Sequence, residues 1–260
     1  MKRSLLALMT LTLLAACGGQ PAATTNSPAS LSDAAPGGGT FLTVALPPDV
    51  LSLPLVDQQG THFTLGALHG RYVVITNFMT SCQDICPMTT ANMRRIGDAV
   101  KSAGLAKQVQ VLELSIDAQR DTPARMKAYQ ALYGSGGAWS LATGSRNDLQ
   151  HLWTFFGAPP VRVNLTAQQM AGRPKDWQTG QPVTYDMSHA DLVLILDPSG
   201  TWRWLDLGAP QTADGRIPQR LQRFLTDDGK LALARPQQPT WTVEAVLSAL
   251  STLTGTTIKP

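Results

Sequence analysis

The chain has 260 residues, 43% of them hydrophobic, and a formal net charge of only +3. That composition suits an ordinary globular core, while the small charge and the lack of a Lys/Arg cluster exclude a nucleic-acid footprint. Three cysteines, Cys17, Cys82 and Cys86, are too few for a disulfide-stapled scaffold.

The N-terminus reads as an address. Lys2 and Arg3 precede an apolar run from Leu5 to Leu14, which is of signal-peptide length and too short to span a bilayer comfortably. Leu14-Ala15-Ala16-Cys17 follows and resembles the bacterial lipobox, in which the cysteine is lipidated and becomes the new N-terminus. The next stretch is rich in Gly, Ala, Pro, Ser and Thr without apolar periodicity, as a flexible tether would be. The expected division is a signal peptide at 1–17, a tether at 18–45 and a folded domain at 46–260. An acylated Cys17 would hold that domain outside the cytoplasm, anchored to a membrane by lipid. There Cys82 and Cys86 can form a disulfide.

The folded part alternates strands and helices. Leu53–Asp57 and His62–Leu65 flank a Gly-containing turn and predict a hairpin. Tyr72–Phe78 is a continuous apolar run, as expected of a buried central strand. Cys86 to about Ala103 has helical spacing with Pro87 near its start, where proline is tolerated. A strand over Gln108–Ile116, a helix over Thr122–Tyr133 and a helix over Arg146–Phe156 follow. Residues 159–184 are a polar insert containing Pro and Gly, read as a surface loop with a possible functional role. Asp191–Leu196 and Thr201–Leu207 bracket an Asp-Pro-Ser-Gly turn, and Thr242–Leu253 is a last amphipathic helix. The fold class is α/β: a thioredoxin-like order with a central mixed sheet flanked by helices, an added N-terminal β-hairpin and a C-terminal extension.

The chemistry concentrates after the central strand. Cys82-Gln83-Asp84-Ile85-Cys86-Pro87 is a strand-to-helix turn, a place where α/β sheets present reactive groups. Helix N-termini offer unpaired N–H groups and a positive dipole end, which favour thiolate. A C-x₃-C pair can close a disulfide or chelate one ion. Copper(I) favours thiolate and copper(II) accepts thiolate with imidazole, so two cysteines and one histidine can serve both states. Asp84 reads either as a charge that tunes the site or as a carboxylate complementing the helix dipole. His62, His69 and His151 read as surface or packing residues. His189 stands just before the strand Asp191–Leu196, at the junction that faces the cysteine turn in a thioredoxin-like fold. Met187 nearby is a weak candidate ligand or a packing residue.

Several segments together resemble the SCO/SenC family of copper-binding proteins. Phe78 to Pro87 is similar to its F-x-x-x-C-x-D-x-C-P motif, and Ser115-Ile116-Asp117-Ala118-Gln119-Arg120-Asp121-Thr122 to its S-[IV]-D-P-x-R-D-T segment. His189 falls where the family's histidine precedes a D-P-x-G turn, here at Asp197-Pro198-Ser199-Gly200. Gln83 and Ala118 stand where proline is usual, and Ser188 where aspartate is usual. The resemblance implies copper held by Cys82, Cys86 and His189. It also implies a role in supplying copper to, or reducing the cysteines of, the CuA centre of cytochrome c oxidase, or another copper or thiol partner. The alternative is an extracytoplasmic thiol-disulfide reductase using Cys82 and Cys86 as a redox pair. A peroxiredoxin-type enzyme is disfavoured because Met79, not threonine, lies three residues before Cys82.

Overall fold

The computed structural model describes residues 30–35, 37–134, 138–211, 217–235 and 240–260. Cys17 and the signal segment lie outside them.

The elements run in chain order as β1 (Ser30–Ala34), β2 (Thr40–Ala45), α1 (Pro48–Leu51), β3 (Leu55–Asp57), β4 (His62–Phe63), a 3-10 turn (Leu65–Leu68), β5 (Tyr72–Phe78), α2 (Cys86–Ser102), β6 (Val109–Ser115) and α3 (Pro123–Tyr133). They continue with β7 (Trp139–Gly144), α4 (Arg146–Phe155), β8 (Val161–Asn164), α5 (Ala167–Gly172), β9 (Tyr185–Ser188), β10 (Leu192–Leu196) and β11 (Thr201–Leu207). The last are β12 (Ala209–Pro210), α6 (Gln219–Gln222), α7 (Asp227–Ala234), β13 (Thr240–Trp241) and α8 (Val243–Thr254).

One nine-stranded sheet has the order β1-β2-β11-β10-β5-β6-β7-β3-β4. Its centre is thioredoxin-like: β5 and β6 are parallel, and the antiparallel hairpin β10–β11 joins the other side of β5. The expected N-terminal hairpin is β3–β4, docked antiparallel on β7. Alternation along the central strands explains why both faces are covered. In β5 and β10, Val74, Phe78, Val193 and Ile195 face a core shared with α2, α3 and α8. Val73, Ile75, Leu192, Leu194 and Leu196 face a second core with α1 and α4, centred on Trp153.

Three expectations are corrected. The stretch 30–45, read as the end of the tether, contains β1 and β2, and β2 pairs with β11 as part of the main sheet. Thr40–Ala45 (TFLTVA) has the apolar content of a strand, and the glycines before it hid the boundary. The insert at 159–184 is largely exposed, as a surface loop would be, but it is not without regular structure. It carries β8 and α5, pairs β8 with β9, and buries Asp176 and Trp177 against the body of the fold. Strand β7, parallel to β6, was not expected.

Candidate metal centre

Strand β5 ends at Phe78, and the loop of residues 79–85 carries the chain to the start of α2. The N-cap residue Ile85 offers no capping side chain. The first orphan donor is met by sulfur instead: the Cys86 N–H donates to Cys82 Sγ at 3.3 Å. The four-residue spacing of the cysteines makes this possible and holds both side chains at one turn. Both cysteines are free thiols, Cys86 buried and Cys82 partly exposed.

The expected thiolate-favouring effect of the helix start does not govern Cys86. Burial pushes its thiol well above the ordinary value, and the neighbouring Cys82 and the Asp191 charge add to this. Asp84 does not serve the dipole of α2, whose first turn holds no acidic residue. Its carboxylate instead accepts a hydrogen bond from the Thr226 hydroxyl just before α7. Burial raises the Asp84 pKa, with Thr226 and Arg173 opposing.

The loop is braced from three directions. The segment Ser115–Thr122 supplies Asp121, whose carboxylate accepts from the Thr80 N–H at 3.0 Å, the Thr80 hydroxyl at 2.5 Å and the Ser115 hydroxyl at 2.6 Å. Burial, then the Asp117 charge, raise Asp121 to about 6 against these bonds. The insert supplies Trp177, whose indole N–H donates to the Thr80 carbonyl at 2.7 Å, and the Pro174 carbonyl, which accepts from Gln83 Nε2 at 2.6 Å. The extension supplies Thr226, whose backbone N–H donates to the Gln83 carbonyl at 2.9 Å. Gln83 thus ties the loop to both the insert and the extension.

His189 lies between β9 and β10, beside the C-terminal end of β5. Its side chain is 7% exposed. Nδ1 stands 3.1 Å from the Ala190 carbonyl, 3.2 Å from Asn77 Nδ2 and 3.3 Å from the Asp191 carboxylate. Nε2 has no hydrogen-bond partner among the described residues. A histidine whose Nδ1 is held by a carbonyl and a carboxylate has its ring orientation fixed and its Nε2 left available to a metal. Burial raises the Asp191 pKa, with His189 opposing.

Strand β9 is held to the brace as well. The Tyr185 hydroxyl donates to Asp117 at 2.9 Å, and Arg120, ion-paired with Asp117, donates to the Tyr185 carbonyl at 3.0 Å. The Ser115–Thr122 segment therefore connects the cysteine loop to the strand leading into His189. In sequence this segment is legible only as a motif: nothing local assigns Asp117, Arg120 or Asp121 a task, and nothing marks Trp177 or Thr226 as part of the site.

The structure brings Cys82 and Cys86 together and places His189 at the same end of the sheet, separated from them. Among the described residues, no three His, Cys, Asp or Glu side chains stand close enough to hold a metal ion. Met187 packs against the same apolar cluster as Cys82. His62, His69 and His151 are exposed, and His151 meets Asp49 at 3.0 Å. No helix among the described residues is long and apolar enough to cross a membrane.

The sequence profile of the SCO1/SenC family matches residues 52–226. A Stutzerimonas stutzeri protein named for copper binding is 31% identical over 173 residues, covering 66% of this chain and 73% of its own. An SCO2-like protein of Rickettsia typhi is 25% identical over 162 residues, covering 60% and 70%. The copper-bound structure of Bradyrhizobium japonicum ScoI aligns over 70% of this chain and 99% of its own, with 22% identity and a TM-score of 0.48.

Proposed function

This chain belongs to the SCO1/SenC family, and from that premise we propose that it is a copper carrier whose cargo is held by Cys82, Cys86 and His189. The observation that carries this reading is the donor set at one end of the sheet. Two free sulfurs meet where the cysteine loop enters α2, Cys82 in the loop and Cys86 at the first helical position, and a histidine with Nδ1 engaged and Nε2 open lies across from them. Soft thiolates suit copper(I), and the added imidazole suits copper(II). The buried Cys86 thiol keeps its proton without metal. Copper binding displaces that proton, as thiol ligation requires. His189 must close on the sulfur pair to complete a three-donor set, and the β9–β10 junction is where that movement occurs.

The recipient in this reading is the CuA centre of cytochrome c oxidase, and the protein works outside the cytoplasm, held to a membrane by lipid on Cys17. Copper titration of the reduced protein tests the site. Near-stoichiometric binding is expected, with a thiolate-to-copper(II) absorption band that His189→Ala alters and Cys82→Ser abolishes. No tight binding of either oxidation state would sink it. For the anchor, Cys17→Ser is expected to release the protein from the membrane fraction.

A second reading is thiol-disulfide exchange, favoured by the unequal exposure of the two free thiols. Cys82 would attack a partner disulfide, and Cys86 would resolve the mixed disulfide, leaving the partner reduced and this pair oxidised. Exchange that survives His189→Ala in a protein that binds no copper would favour it.

A further inference from the structure

Ala118 and Met187 pack with Cys82 against one apolar cluster, and both also line a separate cleft of about 140 Å³. Arg146, Arg162, Gln119 and Tyr185 form its polar walls. The two guanidinium groups converge on a single neutral acceptor: Arg146 Nη2 at 3.3 Å and Arg162 Nη1 at 3.0 Å both donate to Gln119 Oε1. Neither arginine pairs with a carboxylate among the described residues. Asp117, the carboxylate that lines the cleft, is already engaged by Arg120 and by the Tyr185 hydroxyl. Arg162 lies 3.8 Å from the centre of the Tyr185 ring, so its position is fixed by stacking.

Two positive charges held at one amide oxygen repel each other, and an anion between them would relieve that repulsion. A guanidinium fork matches a carboxylate in shape as well as charge. The surroundings say where the carboxylate comes from. Val161 and Val163 of β8 are 58% and 44% exposed, and among the described residues β8 pairs with β9 alone, which leaves its other edge open. A strand with two exposed valines and an open edge suits an extended protein segment. A small free acid would use none of it.

We propose that this cleft receives an acidic side chain of the protein that exchanges copper with this chain, fixing that partner beside the metal centre. The proposal rests on the copper reading of Cys82, Cys86 and His189. A partner registered here lies against Met187 and Ala118, residues that share the cluster containing Cys82.

The test uses the full chain, reduced, with three probes: a pentapeptide of alternating valine and glutamate, its glutamine counterpart, and succinate. Binding is followed by NMR on the Gln119 amide and the arginine side-chain signals. The glutamate peptide is expected to shift Gln119, Arg146 and Arg162, and the glutamine peptide to leave them in place. Arg146→Gln, at an exposed position with no ring contact among the described residues, is expected to weaken binding about tenfold. Gln119→Glu, which sets a carboxylate between the two guanidiniums, is expected to do the same. Equal binding of both peptides, succinate binding as tightly as the glutamate peptide, or variants that bind like the wild type would each overturn the proposal. Copper titration of the same samples separates the two readings. Copper binding without glutamate-peptide binding overturns the docking cleft alone. Peptide binding without copper binding supports the cleft as a carboxylate site and sinks the copper reading.

Discussion

The Thr226 N–H donates to the Gln83 carbonyl at 2.9 Å, which fastens the C-terminal extension to the turn between the two cysteines. One helical turn on, Gly229 lies against the same backbone. A side-chain carbon at 229 would stand 3.0 Å from the Asp84 Cα and closer still to the Gln83 carbonyl oxygen. Backbone cannot yield as the tip of a flexible side chain can. Gly229→Ala is therefore expected to destabilise the fold by about 1–3 kcal/mol. Urea unfolding measures this, and faster alkylation of Cys86 in folded protein would show that the cysteine loop has loosened with α7.

Arg125 and Asp176 form an ion pair in which each side chain is 9% exposed. Arg125 Nε also donates to the Thr80 hydroxyl at 2.5 Å. Asp176→Ala leaves the guanidinium buried without its carboxylate and is expected to cost about 3–5 kcal/mol. Burial raises the Asp176 carboxyl, but hydrogen bonds from Arg125 and Thr179 outweigh it and hold the pKa below the ordinary 3.8. The pair therefore contributes its stability above that value and loses it as pH falls through the lowered one. Denaturation midpoints of wild type and Asp176→Ala should converge in strong acid.

Glu113 is fully buried on β6 and accepts from the Thr90 hydroxyl and the Trp139 indole N–H, each at 2.8 Å. Burial raises its pKa from 4.5 to about 8 against both bonds. Between those values the folded chain holds a proton that the unfolded chain has released. Its contribution to stability is complete below 4.5 and is lost as pH rises to about 8. Glu113→Gln keeps an acceptor for Trp139 and removes the titration. It is expected to flatten the stability profile across that window and to be the more stable protein at pH 9 in urea melts.

Cys82 and Cys86 should differ in reactivity despite their shared turn. Cys86 is 1% exposed, and burial favours its neutral thiol. Iodoacetamide at pH 8 is expected to label Cys82 at least about tenfold faster, as read by peptide mass spectrometry. Equal rates would show that Cys86 is reached without the loop opening.

The sequence revealed what repeats locally and hid what is held at long range. Tyr72–Phe78 is recognisable as a central strand because every residue after Tyr72 is buried. The cysteine pair and His189 are legible because each sits at the edge of such a run. Trp139–Gly144 escaped because WSLATG shows neither alternation nor a long apolar run, and its order comes from pairing with β6. The insert looked like a loop because its polar residues find partners far away: Asp176 on Arg125, and the Pro174 carbonyl on Gln83. The raised Cys86 pKa was equally hidden. A helix start is visible in sequence, whereas the burial that overrides it is not.

The two halves of the centre differ in how they are mounted. Cys82 and Cys86 sit in a loop tied to the Ser115–Thr122 brace, the insert and the extension, and Cys86 opens a helix of 17 residues. His189 instead occupies a seam: β9 before it bonds to β8 in a separate two-stranded ribbon, whereas β10 after it belongs to the nine-stranded sheet. Amide hydrogen exchange is accordingly expected to reach 187–190 earlier than 86–93. In the copper reading proposed above, such a mounting would separate grip from release. The tied sulfur pair would determine how long an ion stays, and the imidazole on the seam how readily the site opens to an incoming donor.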